Sequence, residues 1–431
     1  MKITAFLILL LCISAFPQEK TKVLRGATIH TVSGGTFENG DLWIKGDKIV
    51  YAGPRKDAPA DAEITDASGK VIIPGLVDTH SHIGNGDGGD GSSPTQPEVR
   101  ILDSINPQSD TYIKARAGGI TTVNVMPGSG HLISGQTVYL KLRDGKTIND
   151  ILLCPDEQNG ICGGLKMANG TNSIRGVPFP GTRGKSAALL RGIYVKAAEY
   201  KKKKESAESP DKMPATDLQM EALLEVLAGK RIVHFHSHRN DDLLTAIRIQ
   251  KEFGFRIVLH HVSEGWLVAD EIAKAKIPCS IIMIDAPGGK LEAVNLLLKN
   301  GGILEKAGVN VAIHTDDYIT DSRLLLRSGA LALRGGMSEA GALRALTLSG
   351  AEMLDLQNRI GSLEKGKDAD FVILSGAPFS TYTRVLETWI EGKKVFDLMN
   401  PEDRKYSEGG FEVFRNLFYD HVHTEHTEEE K

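Results

Sequence analysis

The sequence predicts an α/β protein, a (β/α)₈ barrel with β-rich segments on either side of it. Between residues 71 and 355, short apolar runs rich in β-branched residues alternate with helical patterns. Such alternation marks a parallel sheet, and eight units imply closure into a barrel. Shorter alternating runs with glycine turns precede this region, and β character returns after residue 361. The 431 residues suit a barrel of about 250 residues with a smaller companion domain.

Met1-Lys2 and the apolar run Ile3–Phe16 have the n-region and h-region of a secretory signal. The run is short for a membrane span. Export to a periplasm or the medium is therefore expected, with cleavage near residues 14–19 and residues 1–19 lost. Cys12 as a lipid anchor is the minor option, because Leu9-Leu10-Leu11 lacks the small residue expected before a lipidated cysteine. Cys154, Cys162 and Cys279 remain, an odd number that implies no disulfide framework. Cys154 and Cys162 can pair in an oxidising compartment, but scattered buried thiols are the favoured reading.

Residues 20–70 read as all-β, with a hairpin over Leu42–Tyr51 closed by Gly46-Asp47. Val71–Ile83 is the first barrel strand, and Gly84–Gly91 a long loop at the barrel mouth. Thr121–Met126, Ile151–Cys154, Gly164–Ala168, Arg231–His238, Arg256–Val262, Pro278–Met283 and Asn310–Thr315 supply strands two to eight, the third being the poorest. Helical patterns cover Asp241–Phe253, Glu264–Lys274, Leu291–Lys306, Arg323–Arg334 and Ser338–Leu354. Residues 184–214 interrupt the rhythm. Lys201–Lys204 there reads as a solvated helix end, and Thr216–Gln219 as a capping box. From Pro401 the chain reads as a frayed tail (401–431).

Hydrophobic residues at 41% and charged residues at 25% permit a large core and exclude wholesale disorder. A net charge of −4 gives no reason to expect nucleic acid or a membrane surface as partner. Beyond the leader no integral membrane span is expected. The expected partner is a small-molecule or short-peptide substrate, with oligomeric state, a homo-oligomer included, left open.

His80 and His82 end the first strand. Residues i and i+2 of a strand point to one side, so both imidazoles can meet one divalent ion such as zinc. Read alone, the pair fits equally well as two surface or hydrogen-bonded core histidines. In the fifth strand His234, His236 and His238 face one way, each about 6.6 Å from the next, so one of them shares a metal's layer. His260 and His261 are adjacent and therefore point to opposite faces. His236 and His261 lie 25 residues apart, a suitable length for one strand and helix repeat.

The run Pro74-Gly75-Leu76-Val77-Asp78-Thr79-His80-Ser81-His82 resembles the segment that opens the metal site of the amidohydrolase superfamily. Gly361–Asp370 resembles that superfamily's Gly-x-(Leu/Ile)-x-x-Gly-x-x-Ala-Asp pattern, and residues 126–130 and 134–136 resemble a loop of its imidazolonepropionase-like and Xaa-Pro-dipeptidase-like subgroup. The resemblance implies a small β-sandwich built from residues 20–70 and 356–400 around a barrel at 71–355. It implies divalent-metal ligation, one or two zinc ions, by His80, His82, Lys166, His236, His261 and Asp316, with Asp316 also shuttling protons. Asp317 is the competing carboxylate. Lys166 as a carbamate bridging two metals stands against Lys166 reaching solvent or pairing with Glu157. The implied activity is metal-dependent cleavage of an amide bond in a small peptide or N-acyl amino acid. A mononuclear cyclic-imide hydrolase or deaminase is the alternative, and an inactive scaffold a third. Against the deaminase, Arg239 stands where those relatives place a glutamate. Arg239, His131 and Tyr139 are further pocket candidates.

Export gives the first prediction. Mass spectrometry of protein from its native cell should show about 15–20 residues missing from the N-terminus; an intact Met1 in the cytosol contradicts it.

Overall fold

In the computed structural model, residues 19–84, 86, 89–154, 160–283, 290–317 and 319–410 are described. Residues 1–18 of the expected leader, Cys12 among them, and Glu157 lie outside them.

The chain begins with β1 (Lys22–His30), β2 (Thr36–Lys45), β3 (Lys48–Pro54), β4 (Glu63–Asp66) and β5 (Val71–Pro74). The expected hairpin is present, with β2 and β3 antiparallel and Lys45 opposite Lys48 around Gly46-Asp47. The expected single strand over Val71–Ile83 is instead two. After β5 the chain turns at Gly75 and continues as β6 (Leu76–Ser81). A side chain at Gly75 would meet Thr121 at 2.3 Å, so only glycine lets the crossing pack this closely.

Then follow β7 (Ile120–Val125), β8 (Ile133–Gln136), β9 (Val138–Lys141), β10 (Leu165–Ala168), β11 (Val233–Ser237), β12 (Ile257–His261), β13 (Cys279–Ile282) and β14 (Val311–His314). β10 to β14 are parallel neighbours in order, and β6 is parallel to β7. The third member is not Ile151–Cys154. Asp150 accepts from the Thr147 N–H and hydroxyl and starts a helical turn at Ile148–Ile151, while Cys154 is bonded to Cys162. That disulfide also corrects the reading of these two as scattered thiols. The place of the third strand is taken by β8 and β9, parted only by Thr137 and antiparallel to β10 and β7 respectively. At the far side, Asp316 N–H donates to His80 O at 2.9 Å and brings the end of β14 beside β6.

Several helical expectations divide. Leu291–Lys306 is a tight turn at Leu291–Ala293 and a helix at Asn300–Lys306; Glu264–Lys274 is a turn at Gly265–Leu267 and a helix at Ala269–Ala275. Ser338–Leu354 breaks between Ala345 and Leu348, where Thr347 leaves helical geometry. The cap expected at Thr216 is Asp217, whose carboxylate accepts from Gln219 and Met220 N–H. Residues 184–214 are largely one helix, Arg183–Glu205, with Lys202–Lys204 in its last turn. Nor is the tail frayed from its start. Asn400 caps a helix at Pro401–Glu408, and Tyr406 Oη lies 3.1 Å from Asp110 Oδ1. Among the described residues no helix is long and apolar enough to cross a membrane.

β15 (Phe371–Leu374), β16 (Val385–Ile390) and β17 (Lys393–Asp397) complete the terminal sheet, in the order β17-β16-β15-β5-β1-β2-β3 with β4 beside β1. A buried ion cluster ties this sheet to the rest. Lys141 at the end of β9 bonds Asp368, lies 2.9 Å from Asp370, and is fully enclosed. Asp368 also takes Lys48 and Arg359. The aspartates of the Gly361–Asp370 pattern thus hold the terminal sheet against the third strand.

Removing one partner of a buried ion pair leaves an uncompensated charge and costs about 3–5 kcal/mol. Lys141→Met should lower unfolding stability by about that amount in a urea titration; an unchanged midpoint contradicts this role.

Candidate metal centre

The ends of β6, β10, β11, β12 and β14 bring together every candidate ligand that the sequence suggested. Asp316 Oδ1 lies 3.3 Å from His80 Nε2 and 3.0 Å from His82 Nε2. These three donors lie within 4.8 Å of one another. Lys166 Nζ stands 3.0 Å from the same His80 Nε2 and 3.1 Å from Met126 Sδ. His236 and His261 pack with ring centres 4.3 Å apart, and His261 Nδ1 is 3.9 Å from Asp316 Oδ2. The six form one connected cluster.

The backbone is bent to make this possible. Asp316 sits at φ 52°, and His261 and Val262 at 68° and 53°, in the left-handed region that such residues seldom occupy. At His261 the bend has a direct consequence. Strand alternation places His260 beside His236 in register and turns His261 away. With its φ reversed, His261 turns inward too, so the expected opposition of His260 and His261 fails and both face the interior. His260 Nδ1 lies 3.2 Å from His80 Nδ1, and its Nε2 lies 2.9 Å from His234 Nδ1. His234 Nε2 in turn meets Tyr139 Oη at 3.0 Å, so His234 and Tyr139 are satisfied groups inside the protein.

Three further residues join the site without having been assigned to it. His314 bridges Ser280 Oγ (2.7 Å) and His261 Nδ1 (3.2 Å). Its position two residues before Asp316 was a usable signal. His238 belongs with His236 and His261 in a second group of donors within 4.8 Å of one another. Glu292 Oε1 lies 3.8 Å from His236 Nε2. Of the other pocket candidates, Arg239 is spent on exposed Asp241, and His131 packs against Phe179 in the segment after β7.

Electrostatics favour metal binding. Burial pushes His80, His238, His260 and His261 well below the ordinary imidazole range, and His236 down to about 4. These rings are neutral at pH 7, the form that ligates. Burial opposes the charge on Asp316, but the hydrogen bond and charge of His82 outweigh it and hold the carboxyl well below its usual range. Burial also lowers Lys166, to about 7. No carboxylate among the described residues lies within ion-pair distance of it. Asp317 is engaged elsewhere, pairing with buried Lys114 at 2.8 Å and accepting from Ser322 N–H.

The residues fit a divalent ion. Both ring nitrogens of His236, and Nε2 of His238 and of His261, are buried without a hydrogen-bond partner among the described residues. Buried polar atoms are rarely left so. His82 Nδ1 meets Met126 O at 2.8 Å, which leaves its Nε2 to face Asp316, the usual arrangement of a ligating imidazole.

A solved structure, an amidohydrolase from Thermotoga maritima MSB8, is 35% identical, covers 87% of this chain and 100% of its own, and superposes with a TM-score of 0.80. The chain belongs to the amidohydrolase family. The family's sequence model matches residues 198–395. Among curated relatives, imidazolonepropionase from Sphingopyxis alaskensis is 25% identical over 80% of this chain and 90% of its own length. Amidohydrolase tasK from Hapsidospora irregularis is 26% identical over 88% of this chain, which spans only 43% of that protein. These likenesses give this amidohydrolase a TIM-barrel-type α/β fold within the imidazolonepropionase-like subgroup, with hydrolysis of carbon–nitrogen bonds as its chemistry.

The two neighbouring aspartates should separate cleanly. Asp316→Asn is expected to lower bound metal and to cut kcat on the order of a hundredfold or more while keeping the fold. Asp317→Asn should lower the melting temperature with metal content unchanged. Metal analysis and thermal melts decide, and the reverse pattern would mean that Asp317 is the ligand.

Proposed function

We propose that this chain is an exported, metal-dependent amidohydrolase that cleaves an amide bond in a short peptide or an N-acyl amino acid. The observation that carries the reading is the convergence of His80, His82 and Asp316, with buried Lys166 alongside. When bound there, a divalent ion, zinc for this nitrogen and oxygen donor set, would polarise the scissile carbonyl and acidify a water. His80, His82, His236, His261 and Asp316 would hold one or two such ions, with Lys166, beside His80, as a further ligand in carbamate form.

Asp316 also handles the proton. Its carboxylate is ionised and partly open, so it can accept the proton of the attacking water and pass it to the leaving nitrogen. His82, hydrogen-bonded through Nδ1 to Met126 O, keeps that carboxylate oriented. The walls of neutral histidine exclude bulk water, and a carboxylate in such surroundings interacts more strongly with developing charge.

Export is supported by the apolar leader and by the Cys154–Cys162 disulfide, since disulfides persist in oxidising compartments. The imidazolonepropionase relatives, matched over most of their length, support a second reading, a cyclic-imide or imidazolone hydrolase.

Purified protein reloaded with zinc should hydrolyse members of a panel of dipeptides and N-acyl amino acids, lose activity to a chelator and regain it with zinc. Activity confined to cyclic ureides selects the second reading. Turnover indifferent to the chelator contradicts the proposal.

A further inference from the structure

Glu292 is a buried carboxylate near the site that no motif announces. It lies on the turn Leu291–Ala293 after β13, and its side chain is 1% exposed. Its neighbours are reversed in polarity: Leu291 is 89% exposed and Val294 63%. Turning an acid inward and two apolar side chains outward is unfavourable in itself, so something inside must hold the acid. One oxygen is accounted for. Glu292 Oε2 accepts the Thr171 N–H at 2.8 Å, and Gly170, at φ 79°, makes room, since a side chain there would meet that oxygen at 2.5 Å. The other oxygen, Oε1, has no hydrogen-bond partner among the described residues and faces His236 Nε2 at 3.8 Å.

The nitrogens around it are in the same condition. His238 Nδ1 meets Ser263 Oγ at 2.7 Å and His261 Nδ1 meets His314 Nε2 at 3.2 Å, which in each case leaves Nε2 without a partner among the described residues. His236 has neither nitrogen bonded among them. A proton on His236 would not resolve this, because 3.8 Å is beyond hydrogen-bond length and the nitrogens of His238 and His261 would stay unmet. Arg183 is committed to Asp242 at 2.9 Å and reaches only Oε2, at 4.0 Å. His236, His238 and His261 offer donors within 4.8 Å of one another, and a divalent cation held among them would lie beside Glu292 Oε1, which stands 3.8 Å from His236 Nε2. Two donors each about 2.0–2.1 Å from a tetrahedral ion stand roughly 3.4 Å apart, and a small rotation of the Glu292 side chain would bring its Oε1 to that separation from His236 Nε2.

We propose that Glu292 is a metal ligand, completing with His236, His238 and His261 a four-donor position for a second ion beside the one at His80, His82 and Asp316. Three imidazoles and one carboxylate suit zinc or cobalt(II). The position is closed by protein side chains alone, so it does not need Lys166 as a bridge. The proposal rests on the metallohydrolase reading above.

The test uses purified protein stripped by a chelator and reloaded with cobalt(II), with metal content measured by elemental analysis and the ligand field by visible spectroscopy. Wild type should bind two ions per chain. Glu292→Gln and His238→Gln should each weaken one ion by tenfold to a hundredfold or lose it, shifting the visible bands. Lys166→Ala should keep that ion, and His82→Asn should affect the other. Circular dichroism confirms folding; should Glu292→Gln fail to fold, Glu292→Asp replaces it, with the same weakening expected. Two ions held by a folded Glu292 variant with unchanged affinity and bands overturn the proposal. So does weaker binding with unchanged bands, which would make Glu292 a positioning residue, and so does a wild-type chain that binds one ion only. Failure of wild type to bind any ion overturns the metallohydrolase reading itself.

Discussion

Enclosing nitrogen and oxygen donors without water is the constraint on which this structure turns. His80, His234, His236, His238, His260, His261 and His314 are all buried, together with Lys166 and Asp78. Each lost its hydration, and each must recover a partner or remain a liability of a few kcal/mol. Part of the set recovers partners internally: Tyr139 to His234 to His260 to His80, and Ser280 to His314 to His261. The remainder is left facing a common space. Burial also keeps the rings neutral, the protonation state in which an imidazole can ligate a metal.

Rigid placement of these donors depends on bonds between strand ends that are far apart in sequence. Asp78 accepts from Thr315 N–H at 3.1 Å and from the Thr315 hydroxyl, which locks the end of β6 to the end of β14. Burial raises its carboxyl to about 7 against those hydrogen bonds. A step further along each strand, this lock sets His80 and Asp316 at hydrogen-bonding separation. The left-handed turns at His261 and Asp316 are strained conformations of the kind found at functional sites, and the packed strands hold them. On the opposite side, Lys141 and its aspartates fix the third strand, so the walls of the site have little freedom to open.

Much of this was legible in the sequence where the information is local. His80 and His82 share a strand face by spacing alone, and the Thr315-Asp316 pair sits at a strand end that the apolar run before it marks. Other features were not legible. The alternation rule assigns His260 and His261 to opposite faces, and nothing in the letters says that φ at His261 is reversed. The third strand was missed because β8 and β9 run antiparallel through a glycine-containing segment that reads as a loop, while the more apolar Ile151–Cys154 attracts the assignment. Glu292 was hidden inside a stretch whose periodicity reads as a helix. Its one clue was an acid flanked by Leu291, Ala293 and Val294 just after a strand.

Everything proposed for the chemistry depends on His80, His82 and Asp316 holding a divalent ion. Crystals grown with zinc and measured on both sides of the zinc absorption edge test this most directly. An anomalous peak is predicted about 2.0–2.2 Å from His80 Nε2, His82 Nε2 and an Asp316 oxygen. Well-ordered side chains at all three residues with no anomalous density between them would contradict it.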